Sequence, residues 1–405
     1  MTSNNEPVVV RVEGVKMEDT DTCSLHKHKE RPGRYELSER MVLIDGMRGI
    51  AAVAVVLFHV AALEYFAANH GVVGWLNGAA SAVGARGVEI FFVISGFVIS
   101  YSLRGERIDG SFAMRFALRR SLRLDPPYWA TIAGVLLVSV VMAKVAGGTS
   151  YEMPGAGTVA ANVFYLQGIL HKPQLLAVFW TLCYEVQFYL AYLILQALAQ
   201  VLSRWARWWG EDGWLMGILL VTSGASLAWY AAYREAGAWC GNWWYLFALG
   251  AVIYRGWRMD RRWVGAAMCA GMAVAAYGLG SGEAAFGALA GSVICAAIWA
   301  DRLYVWLGNG VCQYLGRISY SLYLTHVLVL HLTLSVLTHV RRGHALHDVP
   351  AYAVMVLAPV VVADLFYRAV ERPSHRLAKR VGKRKAAAAA ECVEKDTAPL
   401  VTAGS

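Results

Sequence analysis

Charge is scarce in this chain. Of its 405 residues 16% are charged and 58% hydrophobic, and the mean hydropathy is +0.44. A soluble protein of this size carries about 25% charged residues. The deficit excludes a water-facing globule and a disordered chain, and it leaves a multi-spanning membrane protein. Metal-type cysteine spacing is also missing. The seven cysteines are odd in number and form no CxxC pair, and four lie in or beside apolar runs. A disulfide framework and a zinc site are therefore not expected, and no metal is assigned. No Gly-rich phosphate loop, HExxH or GxSxG motif sits in a context that supports it. The first 40 residues hold no apolar core, so no cleavable signal peptide is expected and the first apolar span must direct insertion. The net charge of +9 does not point to nucleic acid. The basic residues lie in short runs between apolar segments, as membrane loops do.

What the chain does have is long apolar runs. Ten are read, at about 42–66, 87–103, 128–146, 176–202, 214–233, 239–257, 263–280, 284–300, 318–338 and 350–370. Each is near the ~20 residues a helix needs to cross the hydrocarbon. Lipid offers the backbone no hydrogen bonds, and runs this long favour helices over a barrel. The expected fold is an all-α polytopic bundle of about ten transmembrane helices over 41–375. A polar, disordered tail is expected over 1–40, and a basic, low-complexity tail over 376–405. A further apolar stretch at 158–170 reads as a re-entrant or surface helix. With the N-terminus inside, fourteen basic residues fall on inner loops and five on outer ones. The positive-inside rule thus places both termini in the cytoplasm. Endomembrane and plasma membrane both remain open. Trp205, Trp208, Trp209, Trp243 and Trp244 cluster at span ends and read as an interfacial belt.

The informative residues are those that lipid penalises. A charged group at mid-membrane costs roughly 2.5–3.5 kcal/mol on insertion scales and by default faces a functional cavity. Span one carries Arg48 and, eleven residues later, His59. At 1.5 Å per residue they lie roughly 16 Å apart along the axis. Glu185 in span four projects to a similar depth as His59. A carboxylate facing that imidazole would fix its tautomer and support the imidazolium. The plainer alternatives are a core histidine bonded to a carbonyl and a helix–helix hydrogen bond. Glu89 falls near the outer end of span two, where a solvated carboxylate is cheap, and Ser95-Gly96 reads as a close helix contact. Arg120 and Arg123 share a helical face before span three, and paired guanidiniums suit a phosphate ligand. An orientation signal with lipid headgroup contact explains them equally. In span nine His326 reaches mid-membrane, either to bind acceptor and assist proton transfer or as a satisfied structural histidine. Asp364 in span ten is placed to pair with an arginine.

Taken in order, these segments resemble the membrane acyltransferase-3 family. The resemblance rests on Asp45-Gly-x-Arg48-Gly leading to His59, and on Gly87-Val-Glu-Ile-Phe-Phe-Val-Ile-Ser-Gly-Phe97. It continues through Arg120-x-x-Arg123-Leu-x-Pro-x-Tyr128-Trp129 and Trp180-Thr-Leu-x-x-Glu185-x-x-Phe-Tyr189. Leu315-Gly-x-Ile-Ser-Tyr-Ser-Leu-Tyr-Leu-x-His326 and Tyr367-x-x-Val-Glu371-x-Pro373 complete it. Each motif alone is weak, whereas six in the same order over about 41–375 are specific. Thr181 stands where the family usually has serine, and Glu89 where it has aspartate; both changes are conservative.

The resemblance implies transfer of an acyl group, commonly acetyl, from acyl-CoA to an acceptor hydroxyl. Arg48, Arg120, Arg123 and Tyr128 are then assigned to acyl-CoA. His59 is the general base with Glu185 orienting it, and Glu89, Trp180 and His326 belong to an acceptor or secondary site. The expected partners are the lipid bilayer, acyl-CoA and a hydroxyl-bearing small molecule or glycan. Bacterial members often carry an added soluble domain for exported glycans. None is read here, which favours a small or lipophilic acceptor, as in fungal members that acylate secondary metabolites. One alternative is an acyl-histidine relay to a carbohydrate or glycolipid across the membrane. Another, of a different class, is a proton-coupled transporter, for which no internal repeat or pair of broken helices is found.

Overall fold

In lipid a bundle keeps its polar groups inside and presents apolar side chains outward, and this chain is built so. The computed structural model describes residues 40–63, 71–145, 153–206, 208–233, 239–340 and 348–380. Ile194, Val221, Val274 and Val361 are exposed, while Arg255, Gln196 and His326 are wholly buried. The helices are α1 (Val42–Ala61), α2 (Gly71–Gly84), α3 (Gly87–Ser102), α4 (Gly110–Val145), α5 (Ala156–Val163), α6 (Phe179–Trp205), α7 (Gly210–Tyr233), α8 (Trp244–Arg258), α9 (Arg262–Leu279), α10 (Gly282–Trp299), α11 (Gly310–Val340) and α12 (Asp348–Phe366). No strand occurs among the described residues.

Each of the ten expected spans is a helix. Seven helices are long and apolar enough to cross a membrane, or eight if α2 and α3, bent by 41° at their junction, form one broken span. Alone, α3 and α8 are short, at 16 and 15 residues, and α9 is diluted by glycine and alanine. The stretch at 158–170 forms the short α5 and a series of turns, with Phe164, Ile169 and Leu170 exposed. Residues 376–380, expected in the tail, continue the last helix. The rest of that tail, and the expected N-terminal tail apart from Arg40, lie outside the described residues.

Three features depart from expectation. The basic segment before span three is no loop, because α4 runs unbroken for 36 residues through Pro126 and Pro127. Arg255, assigned to an inner loop, is instead buried: its Nε donates to Ser100 Oγ at 3.1 Å, its Nη2 to Gln196 Oε1 at 3.3 Å and its Nη1 to Asp212. Those bonds tie α3, α6 and α7 to α8, and a buried cation survives only with such partners. Trp243 and Trp244 do not extend the belt. They pack against Phe92 and Phe188, whereas Trp205, Trp208 and Trp209 are exposed as a belt requires.

Glycine sets the closest approaches. A Cβ on Gly96 would meet the Phe247 carbonyl of α8, and one on Gly250 would meet the Val93 carbonyl of α3. Small residues let helix backbones touch in this way. Gly96→Ala forces those backbones apart, and its expected cost is about 1–3 kcal/mol. Thermal unfolding in detergent measures it, and an unchanged midpoint would contradict the packing. A second contact sets the site's register. A Cβ on Gly49 of α1 would lie 2.6 Å from the Gly316 backbone nitrogen of α11. His59 and His326 each follow their contact glycine by ten residues. Two parallel helices crossing there bring both histidines to the same height, about 15 Å further along.

Candidate active site

Arg120 and Arg123 leave α4 one turn apart and point inward because two neighbours hold that turn in place. Tyr320 of α11 donates to the Leu124 carbonyl at 2.9 Å, and Ser374 of the last helix donates to the Leu122 carbonyl at 2.5 Å. Arg48 of α1 joins them in a narrow cavity of about 90 Å³. Val88, Phe91, Phe92, Ile94 and Val98 of α3 form its apolar wall, and Glu185, Glu371 and His375 complete its polar end.

The three guanidiniums are not equally engaged. Arg120 Nη2 donates to Glu185 Oε1 at 3.4 Å and to Tyr189 Oη, and its guanidinium lies 4.1 Å from the Tyr189 ring centroid. Its Nε is buried without a partner among the described residues. Arg48 and Arg123 have no hydrogen-bond or ion-pair partner among the described residues. Guanidiniums without a direct partner, facing a partly apolar space, have the charge and fork geometry that suit an anion.

Glu185 does not orient His59. Its Oε1 accepts from Ser95 Oγ at 2.9 Å, from Arg120 and from Tyr189. Glu185 lies with Arg48 and Arg120 at the polar end of the cavity rather than level with His59, and it pairs with Arg120. His59, half-buried, has Nδ1 2.9 Å from the Val55 carbonyl and 3.4 Å from His326 Nε2. It is not among the residues that line the cavity. The connection runs through the wall: Tyr323 lines the cavity, its ring lies 5.9 Å from that of His326, and the His326 ring lies 4.9 Å from that of His59.

Two other assignments are corrected. Glu89 is buried rather than solvated, at 2% exposure. Arg86 bridges it at 3.3 Å to Glu283 at 2.6 Å, which satisfies only one of its two oxygens. Tyr128, assigned to the donor, is not among the residues that line the cavity: its hydroxyl donates to the Asn162 carbonyl at 2.8 Å and its ring stacks on Tyr165. Trp180 packs among Phe92, Tyr184 and Trp243, one residue behind the cavity wall at Phe92. Asp364 pairs with Arg368 at 2.8 Å.

Sequence reasoning gave Tyr189, Ser95, Glu371 and His375 no role in a polar site. Glu371 accepts from the Ser321 backbone N–H at 3.1 Å and from Ser321 Oγ at 2.5 Å, and lies 3.5 Å from His375 Nε2. It ends a π-helical turn, Tyr367–Glu371, just before Pro373, which lacks the N–H an α-helical turn requires. Glu185–Tyr189 and Glu371–His375 are both i, i+4 pairs, the one signal that spacing offered. Among the described residues no group of three or more His, Cys, Asp or Glu is placed to hold a metal ion.

Fold and site together define a multi-pass integral membrane protein with a half-buried arginine cluster beside an apolar wall. The sequence pattern of the acyltransferase-3 family, an acyltransferase domain, matches residues 42–368, and the chain belongs to that family. It is an acyltransferase. The acyltransferase MdmB of Streptomyces mycarofaciens is 27% identical over 393 residues, covering 90% of this chain and 98% of MdmB. The peptidoglycan O-acetyltransferase OatA of Listeria monocytogenes is 30% identical over 178 residues, covering 40% of this chain and 25% of its own length. The O-acetyltransferase OatA of Staphylococcus aureus is 28% identical over 162 residues, covering 37% and 23%. No solved structure matches the chain.

Proposed function

We propose that this protein is an O-acyltransferase that moves an acyl group, acetyl first among them, from acyl-CoA to a hydroxyl of a small or lipophilic acceptor. The observation that carries the reading is the pair of guanidiniums, Arg48 and Arg123, that share the cavity without a direct hydrogen-bond or ion-pair partner among the described residues, beside Arg120, whose Nε is likewise unpartnered among them. Three cations share this cavity with only two carboxylates, Glu185 and Glu371, and a polyanionic ligand such as the coenzyme's phosphates offsets the remaining repulsion. On the topology expected from the basic residues, this end faces the cytoplasm, where acyl-CoA is available. The acyl-pantetheine arm follows the α3 wall towards Tyr323, and the edge-to-face contact of Phe91 with Tyr323, 5.6 Å between centroids, must part to admit it to His59. The same apolar wall favours a lipophilic acceptor body.

His59 takes the proton of the acceptor hydroxyl as its oxygen attacks the thioester carbonyl. The tetrahedral oxyanion collapses, the C–S bond breaks, and the coenzyme thiolate recovers the proton from His59. Incubating the purified protein with labelled acetyl-CoA tests the donor. Slow release of CoA above the buffer blank and a higher unfolding temperature with CoA are expected. If millimolar CoA shifts nothing and the thioester stays intact, the donor assignment fails. Metabolite profiling of a deletion strain identifies the acceptor.

A further inference from the structure

We propose that His326 is a positioning residue for the acyl transfer: it holds the Nδ1 proton of His59 and so leaves His59 Nε2 as the basic atom. The proposal rests on His59 being the general base and specifies which nitrogen acts and what holds it.

The argument follows from what carbonyl oxygens can do. They accept hydrogen bonds and never donate. His326 Nδ1 lies 2.8 Å from the Tyr323 carbonyl and 3.0 Å from the Leu322 carbonyl, so it carries a hydrogen. A neutral imidazole has only one N–H, and His326 Nε2 is therefore a lone pair. That lone pair lies 3.4 Å from His59 Nδ1, which itself lies 2.9 Å from the Val55 carbonyl. His59 Nδ1 thus faces two acceptors and carries its own hydrogen, shared between them. The opposite tautomer would set three lone pairs against each other in a space where His326 is wholly buried, with no donor among them. His59 Nε2 is left as the free lone pair.

During transfer the hydroxyl proton goes to His59 Nε2 and forms an imidazolium. Its Nδ1–H remains held by the Val55 carbonyl and by the neutral His326 ring, and no proton passes to His326. A buried neutral imidazole takes the place in which the sequence suggested a carboxylate. Glu185, bound to Arg120, Tyr189 and Ser95, is not needed there. The Gly49–Gly316 contact makes the arrangement possible by aligning the two helices.

The test compares three variants of the full-length protein in detergent. His326→Gln keeps an acceptor near the Nε2 position. His326→Asn is too short to present one there, and His326→Leu removes it at similar volume. The expected result is kcat within about fivefold of wild type for Gln and lower by about 100-fold for Asn and Leu, as befits a base freed to take the wrong tautomer. The acyl-CoA KM should stay unchanged in all three. A merely structural role would lower all three alike and would not be rescued by glutamine. Full activity in His326→Leu, or equal loss in Gln and Asn, overturns the proposal. If His326→Leu fails to insert, the Gln–Asn comparison alone decides. The underlying reading fails separately: it is lost if His59→Ala still turns over, whereas an inactive His59→Ala beside a fully active His326→Leu sinks only the positioning role.

Discussion

Replacing His59 with alanine is expected to lower kcat by about 10²–10⁴-fold, the usual contribution of a positioned base, while acyl-CoA binding stays within about threefold. The expected selectivity comes from geometry. His59 lies eleven residues along α1 from Arg48, about 16 Å by helical rise, and it does not line the arginine cavity. Removing its ring leaves Arg48, Arg120 and Arg123 untouched. The ring is only half-buried, so truncation does not leave a large sealed void. The Val55 carbonyl it contacts already serves the helix backbone. CoA-dependent stabilisation separates the two effects, because it reads donor binding without chemistry. Near-normal turnover in a well-inserted His59→Ala protein would remove both direct base catalysis and a covalent acyl-histidine. Loss of CoA-dependent stabilisation together with turnover would instead show that His59 supports the donor site.

The parts of this site that could be read in sequence are those written along single helices. Arg48 and His59 share α1, Arg120 and Arg123 share one face of α4, and both spacings survive in the structure. The ten apolar runs are helices because lipid leaves the backbone no other local partner. What sequence could not give is lateral choice. Counting from the span ends put Glu185 level with His59, yet it lies in the cavity beside Arg48 and Arg120, so neither its height nor its facing neighbour was legible. Glu185 turns to α4, and the imidazole beside His59 comes from α11. Glu89 seemed cheap at the membrane boundary, and its burial depends on Arg86 and Glu283, the latter 194 residues further along. Tyr128 sat in a donor-type motif, but its hydroxyl had a carbonyl to satisfy at Asn162. A buried polar group goes to the partner that packing supplies.

The contrast between paired and unpaired arginines yields the second large effect. Arg123→Met is expected to raise the acyl-CoA KM by about 10–150-fold, the loss of a charge-assisted hydrogen bond of about 1.5–3 kcal/mol, with kcat within a few-fold. The Arg123 guanidinium has no direct hydrogen-bond or ion-pair partner among the described residues, and its cavity neighbour Glu371 keeps its bonds to Ser321, so its removal strands no buried group. Adding Arg48→Met should deepen the loss and flatten the salt dependence of the KM, since both cations face the same ligand. Arg120→Met behaves differently, because it leaves Glu185 and Tyr189 without their cation, and Glu185 keeps only the Ser95 and Tyr189 hydrogen bonds; the loss of a partly buried charge-assisted pair costs about 1.5–3 kcal/mol of stability. A fall in unfolding temperature in Arg120→Met, absent from Arg123→Met, distinguishes the two. Substrate truncation supplies the internal control. Wild-type protein should prefer acetyl-CoA over S-acetylpantetheine, which lacks the nucleotide and its phosphates, and Arg123→Met should shrink that preference by the same factor by which its KM for acetyl-CoA rises. A change confined to the acceptor KM, or an undiminished preference for the coenzyme, would move the phosphate site elsewhere. The arginine cluster would then be an unexplained cost at the heart of the bundle.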